Sequence, residues 1–404
     1  MEKSMNVLVI NAGSSSLKYQ LMNTVSGEVR AKGNCERIGI DGGKLSHKAA
    51  GKEEFVLERF FSNHAEAVKE VVSALTDVNY GCIASMDEIE AVGHRVVHGG
   101  PYFTGAVKLD GEVMEKLRKC VDLAPLHIPG SIDGIEGCLA TMPTVPQVLV
   151  FDTAFHQTMP SHAYCYPLPY DLCEKYAIRR YGFHGSSHKY VSREMIRLLG
   201  GKAEGTKIIT CHLGGGSSIA AVKDGKVVDT TMGFTPLDGL MMGTRCGSVD
   251  PAIVTFLMEK ENLSPAEMNA MMNKKSGLAA VSGVSSDCRD IVDAANAGNE
   301  RARLAMDTFC YQIKKYIGAY AAAMGGVDAI VFTAGIGENN APFREKAMEG
   351  LEYLGVDFDK ALNSSLSRPV KTTELSKEGS RVKVYLIPTN EELVIATDTA
   401  ETLA

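Results

Sequence analysis

The chain lacks any long run of lysine and arginine, and its overall charge balance is acidic. Among its 404 residues, 49 acidic side chains outnumber 42 basic ones, which gives a formal net charge of -7. Proteins that bind the backbone of nucleic acids need clustered positive charge. We therefore predict no nucleic-acid partner, although a few local donors are enough to bind one small anion.

Long apolar segments and paired cysteines are also missing. No stretch approaches the ~20 consecutive apolar residues of a membrane span, and the apolar run in MEKSMNVLVI is too short for a signal peptide. The 10 cysteines include no Cys-x-x-Cys pair, and several, such as Cys211 and Cys310, lie within apolar segments. We expect buried, reduced thiols in a cytoplasmic protein that does not bind a membrane.

Strand-like and helical patterns alternate along the chain, which predicts the α/β class. A helix is expected after Asn63, which would cap it with Glu66 at the third position, and further helices are expected over 187–199 and 301–323. The chain length is typical of two domains. The predicted strands are Asn6–Ile10, Leu17–Met22, Val148–Phe151, Lys207–His212, Ile219–Val222, Ala329–Thr333 and Val382–Ile387.

Two glycine- and serine-rich loops repeat one plan half a chain apart. VLVINAGSSSLKYQL and IITCHLGGGSSIAAV each place small residues between two strands. One such loop is explained well enough by an ordinary hairpin turn. Two matched loops instead favour a duplicated domain in which exposed backbone amides hold phosphate, with a cleft between the halves. The sequence G-x-x-x-x-G-K-[ST] is absent, which excludes a P-loop.

A third glycine-rich segment, TAGIGEN (333–339), directly follows the predicted strand AIVF. Open α/β sheets bind ligands at the carboxyl ends of their strands. The segment lacks the third glycine of a dinucleotide fingerprint. We therefore predict a turn over which a nucleoside could lie.

Two arginines stand in glycine-rich surroundings, Arg95 in GHRVVHGG and Arg245 in MGTRCGS. The planar guanidinium group is well suited to binding a carboxylate or a phosphate. A salt-bridged structural arginine is the alternative at each position.

Acidic residues follow two of the predicted strands. Asp152 comes after QVLVF, where a carboxylate could hold Mg²⁺, act as a general base or merely stabilise a turn. Glu391 and Glu392 follow VYLIP, and the alternative for them is a solvated helix start capped by Asn390.

Histidines supply a further set of candidates. His184 and His188, in YGFHGSSH, have the spacing of helical zinc ligands, but the intervening Gly185 and the absence of H-E-x-x-H argue against zinc. A hydrogen bond from histidine to a phosphoryl oxygen fits better, and His127 in APLHIP is a similar candidate.

Taken together, the motifs resemble those of the acetate and propionate kinase family over nearly the entire chain. They are VINAGSSSLKYQL, GHRVVHGG, FDTAFHQTMP, YGFHGSSHKYV, CHLGGGSS, MGFTPLDGLMMGTRCGSVDP, TAGIGEN and IPTNEEL. The resemblance implies two ribonuclease-H-like domains, as in sugar kinases, actin and Hsp70, with a central active-site cleft. The implied first domain spans 1–151 and 391–404. The second spans 152–390 and would hold the adenosine pocket and the interface of a homodimer.

The resemblance also implies an activity and a role for each matching position. The activity is reversible phosphoryl transfer from ATP to acetate, giving ADP and acetyl phosphate, with Mg²⁺ or, as a substitute, Mn²⁺. The implied catalytic residues are Arg95, Asp152, His184 and Arg245, with His127 in a lesser role. The implied metal ligands are Asn11, Asp152 and Glu391. The implied ATP site comprises Ser16, Lys18, His212, Leu213, Gly214, Gly215, Gly216, Asp287, Cys288, Arg289, Gly335, Ile336, Gly337, Glu338 and Asn339. The implied acyl site comprises Arg95, Val97, Leu126, Phe183 and Pro236.

One departure from the family pattern concerns the nucleotide. The usual loop HLGNG carries an asparagine amide where this chain has Gly215, and butyrate kinases also have a glycine-rich loop there. Ser186 replaces a common threonine and keeps its hydroxyl group. A narrow pocket at Val97 favours acetate, with a propionate or butyrate kinase as the alternative. An actin- or Hsp70-like ATPase is a remote alternative, because it has no use for paired arginines beside an apolar pocket.

The chemistry of the acceptor favours direct in-line transfer. A carboxylic acid is already ionised at neutral pH, so no base is needed and the main barrier is repulsion between two anions. On this interpretation Asp152 serves the metal. A phosphorylated intermediate on Glu391 or His184 is the competing course.

Overall fold

The computed structural model describes residues 4–366, 369 and 371–404. Its strands are β1 (Asn6–Gly13), β2 (Ser16–Asn23), β3 (Val29–Glu36), β4 (Lys44–Ala49), β5 (Phe55–Glu58), β6 (Ala91–Val96), β7 (Val107–Lys108), β8 (Gln147–Phe151), β9 (Lys207–Leu213), β10 (Ser217–Lys223), β11 (Lys226–Thr230), β12 (Ala329–Thr333), β13 (Thr373–Glu374) and β14 (Lys383–Leu386). Its α-helices are α1 (His64–Thr76), α2 (Gly111–Lys119), α3 (Ile128–Thr141), α4 (Ser161–Tyr164), α5 (Tyr170–Lys175), α6 (Gly185–Leu198), α7 (Pro251–Lys260), α8 (Pro265–Lys274), α9 (Gly277–Ser282), α10 (Cys288–Asn296), α11 (Glu300–Met324), α12 (Ala334–Asn339), α13 (Ala341–Met348), α14 (Lys360–Ser365) and α15 (Glu391–Leu403).

The chain forms two compact units, residues 1–155 with 390–404 and residues 156–389. The first boundary lies later than the sequence analysis places it, so Asp152 belongs to the first unit and not to the second. The reason is local hydrogen bonding. The Asp152 amide donates to the carbonyl of Val96 at 2.9 Å, which continues the β6–β8 ladder beyond the end of β8.

The two sheets share one topology. In the first unit the strand order is β5-β4-β3-β2-β1-β6-β8-β7, and in the second it is β11-β10-β9-β12-β14-β13. Each has an antiparallel meander, two further strands parallel to the first strand of that meander, and a short antiparallel edge strand. The meander has three strands in the second unit and five in the first, where β4 and β5 extend it. The equivalent strands are β1, β2, β3, β6 and β8 in one unit and β9, β10, β11, β12 and β14 in the other. The predicted α/β class and the duplicated plan are thereby confirmed.

Buried strands at the centre of each sheet account for the continuous apolar runs in the sequence. All five residues of β8 are buried, with Leu149 and Phe151 in one core cluster and Val148 and Val150 in another beside α15. A strand covered on both faces buries every side chain, so its sequence shows no alternation.

The helices follow their capping residues. Asn63 accepts a hydrogen bond from the amide of Glu66 at the start of α1, as predicted, and Gly325 ends α11 in the left-handed conformation. The segment TAGIGEN is not the predicted turn, because it forms helix α12 directly after β12. A Glu338 carboxylate oxygen accepts from the Ala334 amide at 2.8 Å and so satisfies a free amide of the first helical turn.

No helix in the described ranges is both long enough and apolar enough to cross a bilayer.

Candidate active site

In the first unit, three polar side chains lie where the parallel strands end. Asn11 is on β1, Arg95 is on β6, and Asp152 follows β8. The register pairs Arg95 with Val150 and aligns β1 with β6 just before Asn11. Parallel strands end at the same edge of a sheet, which is where open α/β sheets place their ligands. Together with Glu391, these residues form what we call the arginine–carboxylate cluster.

Arg95 and Asp152 form a two-point ion pair. Arg95 Nη2 donates to Asp152 Oδ2 at 2.6 Å and Nε donates to Oδ1 at 3.1 Å, while Nη1 lies 3.4 Å from Asn11 Oδ1. Asp152 is only 1% exposed. This fork-to-carboxylate geometry is the most directional pairing available to arginine. Salt bridging, which the sequence left open for Arg95, is therefore present.

Glu391 opens helix α15, whose N-cap is Asn390. The predicted cap is therefore present, but Glu391 is half-buried and is not the solvated acid of that alternative. Burial first, and then the nearby charge of Asp152, raises the pKa of Glu391 to about 7, against a lowering influence of Arg95. Helix α15 packs closely against β6. A side chain on Gly93 of β6 would lie 2.4 Å from Thr399 Oγ1, so glycine at this position allows the close approach.

The donor set of this cluster suits a hard cation. Three carboxyl groups, those of Asp152, Glu391 and Glu392, lie close enough to Arg95 to act on its charge, so oxygen ligands are concentrated here. In the described part of the chain, no group of three or more His, Cys, Asp or Glu side chains is arranged as a metal site. Mg²⁺ rarely needs such a cage, because it retains water and phosphate ligands beside one or two carboxylates. The residues therefore fit Mg²⁺.

The predicted loop NAGSSS is a tight hairpin in which Gly13 pairs with Ser16. Two contacts fix the position of this turn. His64 Nε2 donates to the Gly13 carbonyl at 2.7 Å, and a side chain on Gly130 of α3 would lie 2.6 Å from Gly13 C. Two residue pairs further along the hairpin, Lys18 pairs with Asn11, and both line a pocket of about 330 Å³ that also contains Arg95 and Glu391.

In the second unit, the loop HLGGG forms the matching hairpin between β9 and β10. The Gly214 amide donates to the Gly216 carbonyl at 3.1 Å and to Ser217 Oγ at 3.2 Å. A side chain on Gly215 would meet nothing within 4 Å. A side chain on Gly216 would lie 3.4 Å from His184 Nε2 and 3.4 Å from Arg245 Nη1. We call these three glycines, together with His184, His212 and Arg245, the histidine–glycine cluster.

His184 is held in a strained position at the N-cap of α6. Its backbone is left-handed, with φ 57° and ψ 30°, which costs on the order of 1–3 kcal/mol for a residue with a side chain. The ring stacks on His212 with centroids 4.1 Å apart, and Nδ1 lies 2.8 Å from Ser218 Oγ. Strain that is maintained by specific contacts is typical of functional residues.

Arg245 is a half-buried guanidinium without a carboxylate partner among the described residues. Nη1 donates to the Pro236 carbonyl at 3.1 Å and contacts Met242 Sδ at 3.8 Å. Burial lowers the pKa of this arginine, and no acid opposes that effect. Since a desolvated cation is costly when unpaired, this arrangement favours a bound anion.

Sequence reasoning missed the polar residues behind these histidines. His212 Nδ1 lies 2.7 Å from Ser187 Oγ, which lies 2.9 Å from Thr389 Oγ1. Thr210 and Ser218 contact His188, and all three are fully buried. Thr210 and Ser218 are polar residues within apolar strands, and this pattern could have marked them as functional candidates. Their contacts with His188 could not be predicted, because these residues lie far apart in the sequence.

The sequence matches the acetokinase family over residues 6–397. The chain belongs to the acetokinase family. This membership makes it a phosphotransferase with a carboxyl group as acceptor, which uses ATP.

Individual members of the acetokinase family resemble the chain along nearly its full length. The acetate kinase of Caldanaerobacter subterraneus subsp. tengcongensis is 59% identical over 98% of each chain, and that of Treponema denticola is 56% identical over 98% of this chain and 99% of that protein. The crystal structure of Porphyromonas gingivalis acetate kinase superposes with a TM-score of 0.95 at 50% identity, covering 99% of this chain and 100% of that one. A propionate kinase from Francisella tularensis superposes with a TM-score of 0.90 at 39% identity, covering 98% and 99%.

The positions that the family pattern implies for adenosine lie at two helix starts. Asp287 caps α10 and pairs with Arg289, whose Nη2 lies 2.5 Å from Asp287 Oδ2. Cys288 is buried in the core, where burial raises its pKa to about 12. Leu213 is also a core residue, so only its backbone and that of Cys288 could contact a ligand.

Helix α12 contains the rest of the implied nucleotide positions of the acetokinase family. Glu338 bonds to the amides of Ala334 and Thr389, so its side chain holds the backbone in place. Asn339 Nδ2 donates to the Gly335 carbonyl at 3.0 Å, Gly337 is buried, and Ile336 packs against the core. Ala334 is left-handed with φ 66°, which turns the chain sharply from β12 into the helix.

The implied acyl positions differ in exposure. In the first unit, Val97 is half-buried and Leu126 is 69% exposed. In the second unit, Phe183 is buried and its carbonyl accepts from His156 Nε2 at 2.8 Å, while Pro236 is half-buried and contacts Arg245 through its carbonyl. His127, half-buried, is the N-cap of α3. The acyl role of these residues stays a prediction.

Proposed function

We propose that this protein phosphorylates acetate with ATP, reversibly, to give acetyl phosphate and ADP. The observation that carries the proposal is the space beside Gly216, which is flanked by His184 Nε2 and by the guanidinium of Arg245. Arg245 has no acidic partner in the described part of the chain, so it is available to an anion. Family membership gives the reaction class, and relatives named acetate kinase give the acceptor.

The physical demand of this reaction matches the histidine–glycine cluster. Acetate is ionised at neutral pH, and it must approach an anionic phosphoryl group. Donors aimed at the charge that develops in the transition state lower this barrier. We assign to Arg245 the binding of the transferring phosphoryl group and to His184 a hydrogen bond to one of its oxygens.

We assign the arginine–carboxylate cluster to the metal and to the acyl carboxylate. Asn11, Asp152 and, through water, Glu391 would hold Mg²⁺, with Mn²⁺ as a substitute. The cation supplies positive charge that offsets the negative charge of the ATP phosphates. Both oxygens of Asp152 accept hydrogen bonds from Arg95, which supports a role in holding charges and not in removing a proton.

The two glycine-rich hairpins are proposed to bind the phosphates of ATP. The hydrogen bond that fixes the Gly13 carbonyl and the open space at Gly215 support this assignment. Ser16, Lys18, His212 and the loop 214–216 would contribute to it, and the starts of α10 and α12 would receive the nucleoside.

Direct in-line transfer needs no enzyme nucleophile, and we prefer it to a phosphorylated Glu391 or His184. The test is the stereochemistry of transfer from ATP that is chiral at the γ-phosphate. Inversion supports direct transfer, and net retention would show a phosphorylated enzyme.

The proposed activity is tested by incubating the protein with Mg-ATP, hydroxylamine and acetate, propionate or butyrate in parallel. Hydroxylamine converts acyl phosphates into hydroxamates, which report the product directly. A strong acetate signal with weaker propionate and little butyrate is expected, since one methylene in an apolar pocket is worth about 1–3 kcal/mol. Dominance of propionate or butyrate would move the acceptor to that acid. ATP hydrolysis without any hydroxamate would refute the function.

We further propose a homodimer that associates through the second unit. Helix α7 has no buried residue, and it leaves Ile253 45% and Phe256 56% exposed. An exposed apolar helix face is typical of an association surface. Phe256→Asp is expected to yield monomers in size-exclusion chromatography with light scattering. Val78→Asp, at an exposed apolar position of the first unit, is the control and should leave the mass unchanged. The cytoplasmic location stays a prediction.

A further inference from the structure

A continuous series of hydrogen bonds, which we call the relay, connects His184 with Thr210 between α6 and the β9–β10 hairpin. His184 Nδ1 lies 2.8 Å from Ser218 Oγ, which lies 2.7 Å from His188 Nε2. His188 Nδ1 in turn lies 2.7 Å from Thr210 Oγ1. Ser218, His188 and Thr210 are fully buried. Buried polar groups are costly compared with apolar packing, so an ordered network of this kind calls for a functional explanation.

The sequence places these side chains on facing surfaces. Thr210 on β9 and Ser218 on β10 lie on rungs of the same antiparallel ladder, where Thr210 pairs with Ala220 and Ser218 pairs with His212. His188 lies in the first turn of α6 and His184 is the N-cap of that helix, and both side chains contact Ser218 Oγ on the hairpin. The face of the hairpin and the face of the helix therefore meet through one row of polar groups.

The hydrogen bonds of the relay can all be donated in one direction or all in the opposite direction. In the first order, Thr210 donates to His188 Nδ1, His188 Nε2 donates to Ser218, and Ser218 donates to His184 Nδ1. In the second order every donation is reversed, and the Thr210 hydroxyl must then donate to the carbonyl of Ala220 at 3.5 Å. That distance is well beyond the usual 2.7–2.8 Å for an O–H···O bond. Only the first order uses short hydrogen bonds throughout.

The neutral state of His188 is consistent with hydrogen bonds that all run in one direction. Burial, and the nearby rings of His156 and His212, hold the pKa of His188 well below its usual value, so it is neutral. A neutral imidazole has one donor and one acceptor nitrogen. If His188 accepts a hydrogen bond at Nδ1, it must therefore donate one at Nε2.

We propose that Thr210, His188 and Ser218 are positioning residues that hold His184 in the tautomer protonated at Nε2. The inference rests on the proposed function, since it gives His184 Nε2 the task of donating a hydrogen bond to the transferring phosphoryl group. The opposite tautomer would present a lone pair to an anionic oxygen and repel it. In catalytic triads, too, the group that is hydrogen-bonded to the far ring nitrogen holds the histidine in one tautomer.

Two groups lie close to the ring of His184. His212 stacks on the ring with centroids 4.1 Å apart, and a side chain on Gly216 would lie 3.4 Å from both His184 Nε2 and Arg245 Nη1. An Nε2–H that the relay already holds in place needs no reorientation before the reaction.

The direct test is the imidazole ¹⁵N spectrum of protein labelled with ¹⁵N-histidine, using two-bond ¹H–¹⁵N correlations. The His184 signals are assigned from their loss in His184→Asn. A protonated Nε2 and an unprotonated Nδ1 at pH 7.5 are expected. A protonated Nδ1, or a doubly protonated ring, would overturn the proposal. This measurement uses the unaltered protein and does not depend on activity.

The matched variants remove or keep the hydroxyl group at the remote end of the relay. Thr210→Val is nearly isosteric and lacks the first donor, whereas Thr210→Ser retains it. For Thr210→Val we expect kcat to fall about tenfold or more, with KM for ATP and acetate changing less than about twofold, and a mixed His184 tautomer. Thr210→Ser should stay close to the unaltered protein in both readouts.

The outcomes separate the relay from the proposed function. Loss of kcat together with an altered tautomer in Thr210→Val, and its rescue in Thr210→Ser, supports the relay. An unchanged tautomer in Thr210→Val overturns it, whatever happens to stability. Absence of hydroxamate from the unaltered protein would refute the proposed function while the ¹⁵N spectrum still decides the proton order.

Discussion

Glu391→Gln removes a carboxyl group whose ionisation opposes folding near neutral pH. Burial and the neighbouring Asp152 raise the pKa of Glu391 from 4.5 to about 7 in the folded protein. In the unfolded chain the same group ionises near its ordinary value. At about 1.36 kcal/mol for each pKa unit, the difference corresponds to roughly 3 kcal/mol.

The sign follows from which state holds the proton. Below about pH 4.5 the carboxyl is protonated in both states, and its contribution to stability is fully present. As the pH rises towards 7, the unfolded state loses the proton first, so the free energy of unfolding falls. Above about pH 7 the whole contribution of roughly 3 kcal/mol has been lost. Glutamine does not titrate, so the variant should show none of this loss.

The assay is urea unfolding of chelator-treated protein between pH 5 and pH 8. The chain has no tryptophan, so circular dichroism is the suitable probe. The gain in stability of Glu391→Gln over the unaltered protein should grow with pH across this range. Adding Mg²⁺ should reduce that gain, because a cation favours the ionised carboxylate.

The control is Glu401→Gln, which removes an exposed carboxyl group from the same helix. It should leave the pH profile unchanged. Parallel profiles for the unaltered protein and Glu391→Gln would refute the reasoning, since they would mean that Glu391 titrates alike in both states.

Three further predictions concern the two clusters. Gly216→Ala should lower kcat/KM about tenfold or more without lowering Tm, because the new methyl group fills the space beside His184. Gly215→Asn should lower KM for ATP, because open space receives the amide that the family loop usually carries, and an unchanged KM would contradict this. Asp152→Asn should weaken the Mg²⁺ dependence, lower the rate and destabilise the fold by about 3–5 kcal/mol in urea unfolding, since Arg95 loses its buried partner. An intact metal requirement with only the pH profile altered would instead make Asp152 a general base.

Local pattern was a good guide to the elements that hold both clusters. The predicted strands around the two loops are present, because runs of Val and Ile in short segments are stable only when a sheet buries them. The cap at Asn63 and the strand ends at Asp152 and Thr333 were equally predictable, since capping and strand ends depend on neighbouring residues.

Local sequence patterns did not show which side chains from distant parts of the chain pair with each other. The two arginines have similar surroundings in the sequence, yet Arg95 is engaged by Asp152 and Arg245 has no acid within the described residues. The predicted turn at 333–339 is a helix because Glu338 reaches back to the Ala334 amide. Cys288 was grouped with the nucleotide, although its side chain is in the core.

The sequence by itself determined the α/β class, the duplicated plan and the reactive residue types, because periodicity and short motifs depend on near neighbours. The tertiary structure decided which charges are paired, which are desolvated and which histidine is oriented by Ser218, His188 and Thr210. Those properties depend on distances between side chains from different elements. A change of a few tenths of an ångström in such a distance decides whether a hydrogen bond forms.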